Sequence, residues 1–236
     1  MINVELEELL ENYLTGIISF EGPMGTSKST TAVAIAYEKF RVLGRKVISN
    51  QHLSFPYSRF DIAYFLEHYA DEELTNCVLL MDEFYQIADA RASATKLNRL
   101  WTYFIVQTRK RDVDLFICTH HLDHIDKRNR RAVNIRGSCR YYEEYPCKKC
   151  RGTGRYPVQG EVIKSKSYKR YEGGDQCPRC LGYGKVGYGR VNFLDRRRRI
   201  RYPVEIPSNM YWDKFETRER VSVQQKILEG IDTVEV

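Results

Sequence analysis

The apolar residues of this chain alternate between helical stripes and short buried strands. Val4, Leu6, Leu9, Leu10, Tyr13 and Leu14 fall on one side of a short amphipathic helix over 4–14. A strand is predicted at 16–21. A helix then runs through Thr31-Ala32-Val33-Ala34-Ile35-Ala36-Tyr37 to about residue 43, where Gly44 supplies a left-handed stop. A second short strand occupies 46–50, and 58–70 reads as a helix with Ser58 as its N-cap. Cys77-Val78-Leu79-Leu80-Met81 is continuously apolar, as a strand covered on both faces must be. A long helix over 94–108 turns Leu97, Leu100, Trp101, Phe104 and Ile105 to one side, and a strand at 115–119 follows. Strands alternating with helices predict an α/β fold around a mostly parallel sheet.

The link between the first strand and its helix carries the chemistry. Gly22-Pro23-Met24-Gly25-Thr26-Ser27-Lys28-Ser29-Thr30 fits the phosphate-loop (Walker A) motif, with Ser27 standing where the second glycine belongs. Such a loop turns backbone N–H groups onto phosphate oxygens at a helix N-terminus. ATP is the expected ligand: Lys28 reaches its β- and γ-phosphates and Ser29 ligates Mg²⁺. The apolar run at 77–81 ends in Asp82-Glu83, the Walker B pattern. Asp82 holds Mg²⁺ through its water shell, and Glu83 orients or deprotonates the attacking water. Paired acids after a phosphate loop point to hydrolysis of the nucleotide. The expected fold is therefore the three-layer P-loop sandwich.

The long helix over 94–108 ends in Gln107-Thr108-Arg109-Lys110-Arg111, followed by the strand Phe116-Ile117-Cys118-Thr119-His120 and Ile125-Asp126-Lys127-Arg128-Asn129-Arg130. Together with the phosphate loop and the acidic pair, this order resembles the FtsK–HerA superfamily of DNA-pumping ATPases. The nearest branches are viral genome-packaging ATPases and zonula-occludens-toxin-like proteins. The resemblance covers residues 14–138 and, more faintly, 191–220, where Tyr211-Trp212-Asp213 and Thr217-Arg218-Glu219 echo a closing stretch. It implies that the strand end at Thr119 or His120 senses the γ-phosphate, and His120 stands where the family usually has Gln. It also implies a homo-oligomeric ring, usually a hexamer, in which Arg109 or Arg111 completes the neighbour's site; Arg128 and Arg131 are the reserves. DNA is the implied substrate, and a capsid or portal protein a possible partner.

Two units of the same pattern follow: Cys147-Lys148-Lys149-Cys150-Arg151-Gly152-Thr153-Gly154 and Cys177-Pro178-Arg179-Cys180-Leu181-Gly182-Tyr183-Gly184. Each C-x-x-C-x-G-x-G unit is a knuckle, so Cys147, Cys150, Cys177 and Cys180 are expected to hold one structural Zn²⁺ as a four-thiolate site. The repeat resembles the cysteine-rich region of DnaJ chaperones, with two units in place of four. Cys77, Cys118 and Cys139 are expected as free thiols.

Charge separates along the chain. Residues 147–202 hold 16 Lys and Arg against 4 Asp and Glu, a surplus of 12, so the net charge of +7 leaves −5 for the remainder. Lys164, Lys166, Lys169, Arg170 and the run Arg196-Arg197-Arg198-Arg199-Ile200-Arg201 interleave with Tyr156, Tyr168, Tyr171, Tyr183 and Tyr188. Cations meet phosphates and aromatics stack on bases, so this segment points to DNA, although a protein partner would use the same surface. If the arginine run lies on a strand or hairpin, alternate side chains face opposite ways.

No apolar run is long enough to span a bilayer, and the acidic start Met1–Glu8 lacks the basic region of a signal peptide. A cytoplasmic protein is expected, virion-associated if viral. The chain divides as an ATPase core (1–140), a zinc-ribbon insertion (141–190), and a return to the core with a C-terminal helix (191–236). The favoured function is a DNA translocase or packaging ATPase. A morphogenesis or secretion ATPase and a zinc-containing nucleic-acid-binding protein with a non-hydrolysing phosphate loop remain as alternatives.

Overall fold

The computed structural model describes residues 6–60, 65, 74–86, 88–92, 96–156 and 175–215. Five parallel strands make its centre: β1 (Ile17–Glu21), β2 (Lys46–Ser49), β4 (Cys77–Met81), β5 (Val113–Thr119) and β6 (Ile135–Pro146). The short β3 (Ser58–Arg59) pairs in parallel with β2, while β9 (Lys185–Asp195) and β10 (Ile200–Pro207) add an antiparallel hairpin beyond β6. The spatial order is β10-β9-β6-β1-β5-β4-β2-β3.

Residue alternation on these strands builds the two faces. Ile18, Phe20, Val78, Leu80, Phe116 and Ile135 face the long helix α2 (Lys28–Leu43), which follows the short N-terminal helix α1 (Leu6–Glu8). Ile17, Leu79, Leu115 and Ile117 face α3 (Lys96–Gln107), whose Trp101 and Phe104 are buried with Phe65. Trp101 stacks flat on Phe65 with ring centroids 4.3 Å apart, the geometry that rewards aromatic pairs beyond area alone. Helices on both faces of the sheet give the expected three-layer sandwich. A short α4 (Lys127–Ala132), capped by Asp126, precedes β6.

Several sequence expectations change in detail. The predicted helix over 4–14 contains α1 and then a π turn, Leu9–Tyr13, in which Leu14 N donates to Leu9 O. Ser58 is no N-cap: with Arg59 it forms β3, because the open edge of β2 accepts it and Phe60 N donates to Ser49 O at 2.8 Å. Most of the remaining 60–70 stretch lies outside the described residues. β5 begins two residues earlier than the pattern suggested, at Val113. The C-terminal helix and the Thr217-Arg218-Glu219 stretch also lie outside the described residues.

The arginine run has a packing role that its charge does not reveal. Arg196 to Arg199 form the turn between β9 and β10, at the end of the sheet opposite the phosphate loop. Buried Asp195 caps that turn, accepting the backbone N–H groups of Arg197 and Arg198. Arg196 Nη1 donates to Val133 O, Arg197 Nη2 donates to Thr15 O, and the Arg198 guanidinium lies 4.7 Å from the Tyr13 ring centroid. Three of these arginines therefore pin the hairpin to the core.

β6 carries the architecture outward. Its first residues pair with β1 as far as Ser138↔Glu21, and the strand then continues to Pro146, paired with β9 throughout. Eight further residues extend this ribbon by roughly 25 Å past the β1 terminus. The residue 140/141 and 190/191 divisions fall inside β6 and β9. The two cysteine knuckles sit at the ribbon's far end, flanked by the small β7–β8 pair (Arg155–Tyr156 and Asp175–Gln176). None of the described helices is long and apolar enough to cross a membrane.

Candidate functional site

The loop between β1 and α2 wraps the N-terminus of α2. Gly22 has φ 155 and Gly25 φ 76, and Ser27 itself takes φ 63, the left-handed conformation that the motif normally assigns to glycine. A Cβ on Gly22 would stand 2.3 Å from Cys139 O, so the start of the loop lies tight against β6. Thr26 Oγ1 and Lys28 Nζ both donate to Pro23 O, at 2.7 Å each. Met24, at the loop tip, is 85% exposed.

The end of β4 brings the acids to this loop. Ser29 Oγ donates to Asp82 Oδ2 at 2.9 Å, joining residues 53 apart in sequence. Burial pushes the Asp82 carboxyl above its ordinary range, opposed by the Ser29 hydrogen bond. A divalent cation beside these two oxygens would reverse that shift, and their hard oxygen chemistry suits Mg²⁺. Glu83 adopts φ 51, a strained left-handed position, and its Oε2 is buried without a hydrogen-bond partner. His120, at the end of β5, brings Nε2 to 3.9 Å from Glu83 Oε1 and Nδ1 to 3.4 Å from Gly22 O. His120 thus touches both the phosphate loop and the acid. Thr119 Oγ1 instead donates to His121 O, so of the two strand-end candidates only the imidazole points into the site.

One residue here carried no role in the sequence reading. Asn50, just past β2, donates Nδ2 to Asp82 O and accepts Asp82 N at Oδ1, both at 2.8 Å. It clasps the backbone that aims Asp82 and Glu83. The available signal was a polar residue closing an apolar strand at the same sheet end as the acids.

Arg109 and Arg111 stand apart from this cluster. They precede β5, so they lie at the sheet end opposite the phosphate loop. Arg109 is exposed beside a cleft of about 600 Å³ lined also by Val106, Asp112 and Asn134. Arg111 donates Nη2 to Gln107 Oε1 and lies 5.9 Å from the Phe104 ring centroid. Neither reaches the loop of its own chain. Of the reserves, Arg128 pairs with Asp126, and Arg131 is exposed on α4.

At the ribbon tip the four cysteines converge, all buried, with their sulfurs within 4.8 Å of one another. Cys147 and Cys177 are 3.9 Å apart, Cys150 and Cys180 3.6 Å. Four Zn–S bonds of about 2.3 Å in a tetrahedron require sulfurs about 3.8 Å apart, so the donor set fits zinc. The knuckles interlock as a pseudosymmetric pair: Cys147 N donates to Gly184 O and Cys177 N to Gly154 O. A Cβ on Gly154 would lie 2.2 Å from Gly182 O, and one on Gly184 2.4 Å from Gly152 O, which explains glycine at both places. Burial raises the Cys150 thiol, but the hydrogen bonds to its sulfur, from the Gly154 N–H first and then from Cys180, Cys147 and the Gly152 N–H, together hold it at about 7. Cys180 is pushed up to about 12, first by burial. Cys77 and Cys139 are likewise raised to about 12 by burial, as inert core thiols are. Asn209 Nδ2 donates to Arg179 O, and Tyr183 meets Trp212 edge-on at 4.9 Å, tying the module to the segment after β10. The basic and aromatic residues at 157–174, among them Lys164, Lys166, Tyr168, Lys169, Arg170 and Tyr171, lie outside the described residues.

Comparison with known proteins agrees with this geometry. The sequence model of the ATPase family associated with various cellular activities (AAA) matches residues 18–139. The N-terminal domain of zonular occludens toxin from Neisseria meningitidis superposes with a TM-score of 0.53 at 14% identity, covering 86% of this chain and 100% of that one. That likeness is one of fold. The genome packaging NTPase B204 from Sulfolobus turreted icosahedral virus 2, in complex with ATP-gammaS, gives 0.47 at 12% identity over 81% of this chain and 97% of that one. Among curated protein sequences none matches.

Proposed function

The chain belongs to the ATPase family associated with various cellular activities, an ATP-hydrolysing P-loop enzyme, and on that premise we propose that it is a DNA translocase of the packaging type. It works as a homo-oligomeric ring that couples MgATP hydrolysis to DNA movement. The observation that carries the hydrolytic part is the 2.9 Å bond from Ser29 to Asp82, with Glu83 and His120 on the same side of the loop. Lys28 and the loop N–H groups bind the phosphates. Ser29 and Asp82 would hold Mg²⁺, which when bound would supply charge neutralisation for the phosphates. Glu83 positions and deprotonates the attacking water, and His120 reads the presence of the γ-phosphate. Arg109 or Arg111, remote from the loop of their own chain, acts on the neighbouring subunit's nucleotide.

DNA contact is supported by the cysteine module, which stands at the phosphate-loop end of the sheet. Lys148, Lys149, Arg151, Arg155, Arg179 and Lys185 are all exposed on it. One Zn²⁺ bound by Cys147, Cys150, Cys177 and Cys180 serves a structural purpose, because four thiolates leave no open coordination position.

The test compares ATP turnover by wild type and Glu83→Gln, with and without double-stranded DNA, at a concentration where sedimentation reports the oligomer. Stimulation by DNA is expected. Removal of the carboxylate should lower kcat by about 10²- to 10³-fold while nucleotide still binds. Turnover indifferent to DNA sinks the translocase reading, and no turnover in wild type sinks the hydrolytic one.

A further inference from the structure

The phosphate loop departs from its motif only at Ser27, and the strand that passes over it departs from ordinary strand composition at Gly189. Glycine inside a strand packs nothing and usually marks a close backbone approach. Gly189 shows no left-handed φ, unlike eight other glycines among the described residues, so backbone conformation does not require it. Space does. A Cβ on Gly189 would lie 2.6 Å from Ser27 Oγ and 3.1 Å from Ser27 Cβ. Rotation about χ1 could carry Oγ away, but Cβ is fixed by the backbone. The next nearest atom, Thr31 Oγ1, is at 3.6 Å, an ordinary contact. The whole obstruction thus comes from the side chain of residue 27.

We infer that Ser27 and Gly189 are a compensating pair, and that Gly189 is a positioning residue for the phosphate loop. The small residue that the motif places at position 27 is supplied instead by β9. Its absent side chain lets a serine hold the left-handed turn from which α2 and Lys28 begin. β9 is also the return strand of the ribbon bearing the cysteines, so the loop's shape is set partly by a strand outside the parallel sheet. The catalytic consequence rests on the nucleotide reading above; the packing does not.

The experiment introduces Gly189→Ala into two backgrounds, wild type and Ser27→Gly, and measures KM for ATP, kcat and melting temperature in each. In wild type the alanine should displace the loop and raise KM by about tenfold or more; in the Ser27→Gly background the same change should move KM by less than about threefold. Equal damage in both backgrounds would mean that alanine harms β9 by itself, and would overturn the pairing. If Gly189→Ala alone does not fold, recovery of folded protein in the double variant gives the supporting answer, and failure of that variant too gives the opposing one. Were wild type to hydrolyse no ATP, the enzymatic reading would fail on its own, because the same cycle in melting temperature still reports whether positions 27 and 189 are coupled.

Discussion

The phosphate loop and the cysteine knuckles are both glycine-bearing turns that aim backbone N–H groups at an ionic partner, yet they are held in opposite ways. The loop depends on distant chain: Gly22 lies against Cys139, Ser27 under Gly189, Ser29 on Asp82, and Asp82 in the grip of Asn50. The knuckles depend mainly on each other, through paired N–H···O bonds, mutual glycine contacts and four sulfurs sized for one ion. One site is assembled by the fold, and the other is built from its own paired knuckles, with sulfurs spaced as one zinc ion requires. Damage should therefore spread through the first and stay confined in the second.

The largest effect that separates them is metal removal. Cys147→Ser with Cys177→Ser should abolish the expected single equivalent of zinc, measured by elemental analysis. Hydrogen exchange should then lose protection at 147–156 and 175–185, while β1, β4 and β5 keep theirs. Loss of protection in the central strands would erase the distinction. Next comes the division of labour among cations. Lys148→Glu with Lys149→Glu should weaken binding to double-stranded DNA by about tenfold or more at low salt, with a shallower salt dependence. Arg198→Ala should instead lower the melting temperature and leave DNA affinity within about twofold, since its guanidinium rests on Tyr13.

Asn50→Ala tests the long-range character of the loop. It strips two hydrogen bonds from the Asp82 backbone and should cost about 1–3 kcal/mol in urea unfolding, with a matching loss of ATP turnover. The smallest effect is electrostatic. A hydrogen bond from Arg45 holds the exposed Asp112 carboxyl below its usual range. A depressed folded value lends stability that is full above the unfolded carboxylate value of about 3.9 and fades as pH falls through the folded one. Melting temperatures of wild type and Asp112→Asn should thus differ slightly at pH 7 and converge in acid. Asn suits the comparison because it tolerates the left-handed φ of 52 found there.

What could be read from sequence follows the same division. The spacing of Lys28 and Ser29, the Asp82-Glu83 pair and the repeated knuckles are local signatures, each complete within a few residues. Asn50 left only a faint signal and Gly189 none, because their meaning depends on a partner element that proximity in sequence does not reveal. The arginine run shows a related limit. Charge alone does not reveal that the turn around Asp195 brings Val133, Thr15 and Tyr13 beside Arg196, Arg197 and Arg198, giving these exposed cations a packing role as well. Ser58 shows the limit for local structure, since a good N-cap residue yields when an open strand edge offers its backbone a partner.

The pairing of Pro146 with Lys185 has an architectural consequence of its own. The chain leaves β6 for the knuckles and re-enters β9 at two residues that are already cross-strand neighbours, about 5 Å apart. A two-residue hairpin turn could close that gap. The ribbon is a socket: the register of β6 against β9 is complete at Pro146 and Lys185, before the inserted segment begins.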